Sequence, residues 1–339
     1  MRRSAAEFYR DPETRSELKL QTEREDRDVV LEGALVSPSG KSYPIRNGIP
    51  DLSFPPALVE AEDRARSFYE ARVDDYDRYL HLTFEKFGES EDAVRDFMTG
   101  RLNLKPDDRV LEVGCGTGRD SVHIARRIPR GSLFCQDLSP KMVAAARERL
   151  KDSAAAVEFS VASASYLPFE DKSFGAVYQF GGVGEFGDVA RFFREAVRVT
   201  NVGGRIVVGD ESMPPWLRDT EFAKVLTFTN PQYDAPLPLQ HLPLEARDVH
   251  LQWVIGATFY LLDFTVGEGP PKADLDFPIP GPRGGTLRTR YYGQLEGVTP
   301  EAKALAHKAR DRANVSMHDW LEKTVRDAAR AQLGEEPES

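Results

Sequence analysis

Cysteine is almost missing from this chain: Cys115 and Cys135 are the only two among 339 residues. Two thiols cannot build a disulfide framework or a cysteine zinc site, so the chain reads as one suited to a reducing compartment. Long apolar runs are missing too. No stretch approaches the roughly 18 to 20 residues a membrane span requires, and Arg2 and Arg3 lead into a polar, acidic stretch rather than the apolar core of a signal peptide. The expected location is therefore cytoplasmic. Nor is there an excess of positive charge. A formal net charge of -10 argues against a nucleic-acid partner, whose phosphates are neutralised by clusters of Lys and Arg.

What is present is an ordinary globular balance, 40% hydrophobic and 29% charged, in a chain long enough for one large domain with smaller additions. Residues 1–57 are polar, with the short runs Val29-Val30-Leu31 and Ala34-Leu35-Val36 broken by Ser37-Pro38-Ser39-Gly40 and Asn47-Gly48. That pattern predicts a small β module of hairpins. Residues 58–270 form the main domain. It opens with helical spacing through Phe68, Val73, Tyr76, Tyr79 and Leu80, then Val94, Phe97 and Met98.

From Arg109 the signals alternate. Strands are expected at Arg109–Val113, Ser132–Asp137, Val157–Val161, Gly175–Phe180 and Arg205–Gly209, with helices at Arg119–Ile128, Pro140–Leu150 and Val189–Val199. Repeated strand-helix units mean a doubly wound parallel sheet. Met213–Glu245 reads as irregular, and His250–Ile255 with Phe259–Val266 as a closing antiparallel hairpin. Residues 271–339 begin as a linker rich in Pro and Gly through Pro278–Gly285. Two helices should follow, capped at Thr299-Pro300 and at Ser316, with a frayed tail after Gly334.

Chemistry concentrates in Val110-Leu111-Glu112-Val113-Gly114-Cys115-Gly116-Thr117-Gly118, between a predicted strand and a predicted helix. Side chains at Gly114 or Gly116 would block a ligand from the backbone, and Gly118 lets the helix start close to the sheet. Asp137 ends the next strand about twenty residues on, where a carboxylate can accept both hydroxyls of an adenosine ribose. Those two features alone also describe a nicotinamide-binding domain.

The surrounding residues separate the two. Glu112-Val113-Gly114-Cys115-Gly116-Thr117-Gly118 resembles the first motif of class I S-adenosylmethionine-dependent methyltransferases. Ser163-Ala164-Ser165-Tyr166-Leu167-Pro168-Phe169 resembles their later Asp-Ala-x-x-Leu-Pro-Phe segment. The resemblance covers roughly Phe68 to Gly267 and is nearest to the small-molecule group that includes the ubiquinone and menaquinone C-methyltransferases. It implies an α/β, Rossmann-like class I methyltransferase sheet with an antiparallel closing hairpin, a small N-terminal β module and C-terminal helices.

Residue by residue, the resemblance implies that Glu112, Gly114, Cys115, Gly116 and Gly118 meet the methionine end of S-adenosylmethionine. Asp137 would take the ribose, Leu138 and Met142 would pack on the adenine, and Ala164 would offer its backbone to the ring. Ser163 stands where the family places an adenine-binding Asp, and a hydroxyl accepts more weakly than a carboxylate. Gln179, Phe180 and the cap residue Tyr76 would border the methionine and the methyl group. The product would be S-adenosylhomocysteine.

The acceptor expected is a small molecule, partly apolar or aromatic, held by Tyr69, Tyr76, Tyr79, Phe180, Phe186, Trp216 and Tyr233. If a base is needed, His241 and His81 are the candidates, since both fall near the substrate-lid segments of this family. A methyltransferase-like partner module and an RNA methyltransferase are the competing readings. The N-terminal module resembles, through Ser42 to Leu52, a zinc-ribbon-like unit found before some methyltransferases. Asp11, Thr14, Val36 and Ser39 replace its cysteines, so no metal is expected there.

Overall fold

The computed structural model describes residues 1–280, 285–292 and 298–334. It divides into two compact units, Met1–Pro271 and Lys272–Ser339.

The first unit opens with a four-stranded antiparallel sheet of β1 (Lys19–Asp26), β2 (Val29–Val36), β3 (Ser42–Arg46) and β4 (Ile49–Pro50), in that order. Two runs expected to be separate, Val29–Leu31 and Ala34–Val36, are one strand, β2. Gly33 lets it continue, because a Cβ there would stand 2.2 Å from the Gln21 carbonyl oxygen. Its partner β1 is almost wholly exposed and charged, a solvated edge that discourages pairing with other chains. The small sheet is joined to the main domain through Leu52, whose N–H donates to the Val161 carbonyl at 2.8 Å.

Four helices come next: α1 (Glu60–Glu70), α2 (Val73–Tyr79), α3 (Leu82–Glu85) and α4 (Glu91–Gly100). They lead into β5 (Arg109–Val113), α5 (Arg119–Arg127), β6 (Ser132–Asp137), α6 (Pro140–Arg149), β7 (Ala156–Val161), β8 (Phe174–Phe180), α7 (Val189–Val199) and β9 (Thr200–Glu211). The boundaries have local causes. Ser139 accepts the Met142 N–H and Pro140 sits in the first turn of α6, while Asp188 accepts the Arg191 N–H at the head of α7. Strand β5 is buried from Val110 to Val113, as expected of a central parallel strand covered on both faces.

Strands β5 to β9 are parallel, and β10 (Ala246–Val254) and β11 (Phe259–Val266) complete a seven-stranded sheet of order β10-β11-β9-β8-β5-β6-β7. Strand β11 runs antiparallel between β9 and β10. The chain winds outward from β5 through β6 to β7, then returns to β8 on the other side. The carboxyl ends of β5 and β8 therefore open the crevice in which ligands of doubly wound sheets lie.

One core joins the two sheets of this unit. Tyr9, buried completely, packs its ring 5.3 Å from Phe169 and 6.2 Å from Phe134. The Leu167-Pro168-Phe169 segment thus receives the N-terminal module, and Arg10 N–H donates to the Pro168 carbonyl.

The stretch Met213–Glu245, expected to be irregular, contains α8 (Glu221–Thr229) among short 3-10 turns. Thr220 caps it by accepting the Ala223 N–H. With Pro231 just past its end, it runs only nine residues, too few for a clear helical period in the sequence.

The second unit holds α9 (Leu287–Tyr292), α10 (Pro300–Ala313) and α11 (Met317–Leu333). Thr299 and Ser316 cap α10 and α11 by accepting the Ala302 and Asp319 N–H groups. The short α9 had no sequence signal. The tail after Gly334 and residues 281–284 of the expected linker lie outside the described residues.

Candidate active site

A cavity of about 720 Å³ opens where the switch in strand order places it, at the carboxyl ends of β5, β6, β8 and β9 and beneath the cap helices. Its floor is the turn after β5. Gly114 and Gly116 adopt φ of +69° and +52°, and a Cβ added to either would meet no protein atom within 4 Å. Both line the cavity, so the room a side chain would take is room the cavity now has. Gly118 is different. Its Cβ would come within 3.1 Å of the Ala146 backbone, so this glycine sets the distance between α5 and α6 and does not line the cavity.

Asp137 ends β6 at the cavity wall. Its carboxylate accepts the Gly116 N–H at 3.0 Å and the Ser139 N–H at 2.9 Å, which ties the glycine turn to the head of α6. Burial raises its pKa, with the backbone N–H groups of Ser139 and Gly116 acting against that rise. The turn is also clamped from above. Asp77 of α2 accepts from the Thr117 hydroxyl at 2.7 Å, from Arg119 at 3.1 Å and from Arg149 at 2.6 Å.

Tyr76, Cys115, Leu138, Met142, Ala164 and Phe180 line the same cavity. Three other expected contacts do not. The Ser163 hydroxyl donates to Glu62 Oε1 at 3.0 Å, and it is Glu62, on α1, that lines the cavity. Gln179 is completely buried on β8, with its amide turned onto the Gly182 N–H and the Gly209 carbonyl.

Glu112 points away from the cavity, because alternate side chains of β5 face opposite sides of the sheet. Its carboxylate accepts from the Ser121 hydroxyl on α5 and lies 3.8 Å from the Cys135 sulfur. Burial, with Asp120 adding to it, pushes this carboxyl up to about 8 from 4.5. Between those two pH values the folded chain keeps a proton that the unfolded chain releases, so the Glu112 contribution to stability falls as pH rises through that window. The slope approaches ~1.4 kcal/mol per pH unit. Glu112→Gln should flatten this loss in urea titrations between pH 5.5 and 8, and a slope equal to wild type would refute the assignment.

Neither expected base reaches the cavity. Leu80, Thr83 and Phe84 line it, and a helical step of about 100° per residue carries His81 off that face. His81 lies instead in an open groove with Glu85 and Glu89, 4.0 Å from the Glu85 carboxylate. His241 sits in a 3-10 turn beside Gln240, with its ring nitrogen 3.3 Å from the Gln240 amide.

Tyr69, Tyr79 and Phe186 line the cavity as expected. Trp216 does not: it is 70% exposed and packs on Trp253 at 5.2 Å. Tyr233 is buried against Phe259 and receives a hydrogen bond from Lys86 at 2.9 Å.

Sequence reasoning missed the polar wall formed by Glu185, Asp210, Glu211, Asn230 and Gln232. One signal was available. Asp210-Glu211 ends its apolar strand in the way Asp137 ends β6. Arg95 of α4 was also missed. It lines the cavity, with its guanidinium 2.8 Å from both the Glu91 and the Asp120 carboxylates.

Comparison with known proteins agrees with this geometry. A family profile described as a methyltransferase domain matches residues 110–204, from β5 through the start of β9. The ubiquinone/menaquinone biosynthesis C-methyltransferase of Geobacter sp. (strain M21) is 30% identical over 198 residues, covering 55% of this chain and 82% of that protein. The demethylmenaquinone methyltransferase of Beutenbergia cavernae is 34% identical over 144 residues, 42% of this chain and 58% of that one. Phosphoethanolamine N-methyltransferase 1 of Arabidopsis thaliana is 28% identical over 151 residues, 44% of this chain but only 30% of the plant enzyme. The chain thus spans from under a third to about four fifths of the curated relatives it matches. With the glycine turn, the strand-ending Asp137 and the inserted antiparallel strand in place, the chain belongs to the class I S-adenosylmethionine-dependent methyltransferases.

Proposed function

We propose that this protein transfers a methyl group from S-adenosylmethionine to a small acceptor enclosed between the cap helices and the carboxyl end of the sheet. The observation that carries the reading is one continuous cavity. Gly114, Gly116 and Asp137 form one end, and Phe180, Phe186, Phe259 and Tyr69 wall the other.

The residues fit the cofactor. The open backbone at Gly114 and Gly116 suits the methionine end, Asp137 has lone pairs left for ribose hydroxyls, and Leu138 and Met142 offer apolar faces for a base. Glu62, which accepts the Ser163 hydroxyl and the Gly187 N–H, brings to that side the carboxylate that position 163 lacks. When bound, the cofactor supplies a methyl group already activated on a sulfonium.

The remaining work of the chain is placement. Aromatic walls and the cap helices hold the acceptor and exclude water, and the Asp77 clamp keeps the cap on the glycine turn. No histidine lines the cavity among the described residues, so a proton leaving the acceptor would go to a carboxylate or to water. Quinone and phosphoethanolamine appear in the names of the relatives, which supports a small acceptor in this chamber. Two buried free thiols and the acidic surface support a cytoplasmic setting. Among the described residues no helix is long and apolar enough to cross a membrane.

Calorimetry tests the cofactor assignment. S-adenosylhomocysteine should bind wild type, and Asp137→Ala should weaken it ~10- to 100-fold, as expected for losing charge-assisted hydrogen bonds of about 1.5–3 kcal/mol. Equal affinity in the variant would remove Asp137 from the site, and no binding to wild type would remove the methyltransferase reading.

A further inference from the structure

The far end of the cavity carries a charge pattern that an apolar or phenolic acceptor would leave unanswered. Glu185 follows β8, and Asp210 and Glu211 end β9, so the two strands beside the switch point deliver three carboxyls to one chamber. They are joined locally. Asp210 accepts the Gly184 N–H at 2.6 Å and its side chain meets that of Glu211. Glu185 accepts from Gln232 at 2.9 Å, and Glu211 from Asn230 at 3.4 Å. Apart from the contact between Asp210 and Glu211 themselves, each of these partners is a backbone or side-chain amide. Among the described residues no Lys, Arg or His pairs with any of the three carboxyls.

The cations lining the cavity are spent elsewhere. Arg66 pairs with Glu70, Arg95 with Glu91 and Asp120, and Arg119 with Asp77 and Glu91; Arg64 is exposed. Asp210 is only 6% exposed. A buried carboxylate without a counter-charge costs several kcal/mol, and a pair of them pushes a proton onto itself. Burial and then Glu211 do hold the Asp210 carboxyl well above its ordinary value.

Aromatic groups line the same cavity. Tyr69 lines it together with the three carboxyls, and burial first, then Tyr76, Glu211, Glu185 and Asp210, raise its pKa. Tyr76 stands 5.5 Å from Tyr69, edge to face, and Phe180 stacks on Phe259 at 5.5 Å. Carboxyls spaced among aromatic faces suit a weakly hydrated organic cation. A divalent ion needs tightly converging oxygens, and among the described residues no group of three or more His, Cys, Asp or Glu is arranged to hold a metal ion.

We infer that the acceptor carries a protonated amine, which Glu185, Asp210 and Glu211 recognise together with the rings of Tyr69 and Tyr76. This rests on the methyltransferase reading and narrows it to a substrate class: an organic ammonium whose apolar body lies against Phe180 and Phe259. The amide partners Asn230 and Gln232 hold Glu211 and Glu185 in place and bring no positive charge of their own, which leaves that charge for the ligand to supply.

The test is a binding measurement on the full chain saturated with S-adenosylhomocysteine. A matched panel is titrated by calorimetry: arylalkyl amines such as 2-phenylethylamine, the isosteric alcohol 2-phenylethanol, the carboxylate 3-phenylpropanoate, and Mg²⁺. The amines should bind at least tenfold more tightly than the alcohol, and the carboxylate should bind most weakly. Glu185→Gln and Glu211→Gln should each lower amine affinity three- to tenfold with S-adenosylhomocysteine affinity unchanged.

Equal or tighter binding of the alcohol or carboxylate would overturn the inference, as would displacement of the amine by millimolar Mg²⁺ or amine affinity indifferent to both variants. Since S-adenosylhomocysteine binding is measured first, its failure would sink the methyltransferase reading and this inference together. Its success with the wrong acceptor order would sink this inference alone.

Discussion

Valine in place of Gly116 should abolish cofactor binding while leaving the fold intact. The two halves of that expectation have separate causes. At φ +52° a side chain costs about 1–2 kcal/mol in backbone strain, more for a β-branched residue, which would lower the melting temperature by several degrees without unfolding the chain. No protein atom opposes the new Cβ within 4 Å, so no packing is broken. The methyl groups would instead occupy the cavity floor beside Asp137, where a ligand must touch the backbone.

The loss expected for S-adenosylhomocysteine is at least ~100-fold, about 2.7 kcal/mol. Gly118→Val makes the contrast. Its Cβ would press on the Ala146 backbone at 3.1 Å, so it should lower stability more than Gly116→Val does, through the contact between α5 and α6. Calorimetry paired with thermal melts reads both effects. A Gly116→Val protein that binds within threefold of wild type would show that the turn is not the cofactor cradle.

Arg95→Met should be the most destabilising single change near the site. Arg95 is buried, with 7% of its side chain exposed, and is the cation shared by the Asp120 and Glu91 carboxylates. Methionine keeps much of the volume and the contact with the Phe84 ring, so packing is largely conserved while charge is lost. Removing one partner of a buried pair leaves the other uncompensated, typically about 3–5 kcal/mol. Here the stranded Asp120 also adds to the burden on Glu112, whose carboxyl it already pushes upward.

The melting temperature should fall by about 10 °C on that basis. Asp120→Asn added to Arg95→Met should recover part of the loss, giving a coupling energy in a double-mutant cycle. Additive effects of the two substitutions would mean that the ion pair does not carry the stability assigned to it.

The glycine turn was readable because backbone geometry dictates residue type there: positive φ and an open floor leave glycine as the natural choice at Gly114 and Gly116. Asp137 was readable because a charged residue closing an apolar strand has few structural reasons to exist. The same logic applied to Asp210-Glu211, but nothing local revealed that Glu185 would arrive beside them. That meeting comes from β8 and β9 lying side by side, a long-range fact.

The cap shows the opposite failure. Tyr76 and Tyr79 line the cavity as read from the sequence, yet His81, one helical step beyond the cavity-lining Leu80, falls outside it. Trp216 was drawn toward the site by its residue type, whereas its ring found Trp253 on the neighbouring hairpin.

The seam of Tyr9, Phe134 and Phe169 makes the amino-terminal sheet and the crevice-bearing sheet hostages to each other. Phe134 belongs to β6, the strand that Asp137 terminates, so a disturbance entering at Tyr9 travels only three residues before it reaches the Asp137 carboxylate at the cavity wall. Any transplant of this crevice into another scaffold has to bring its small leading sheet along.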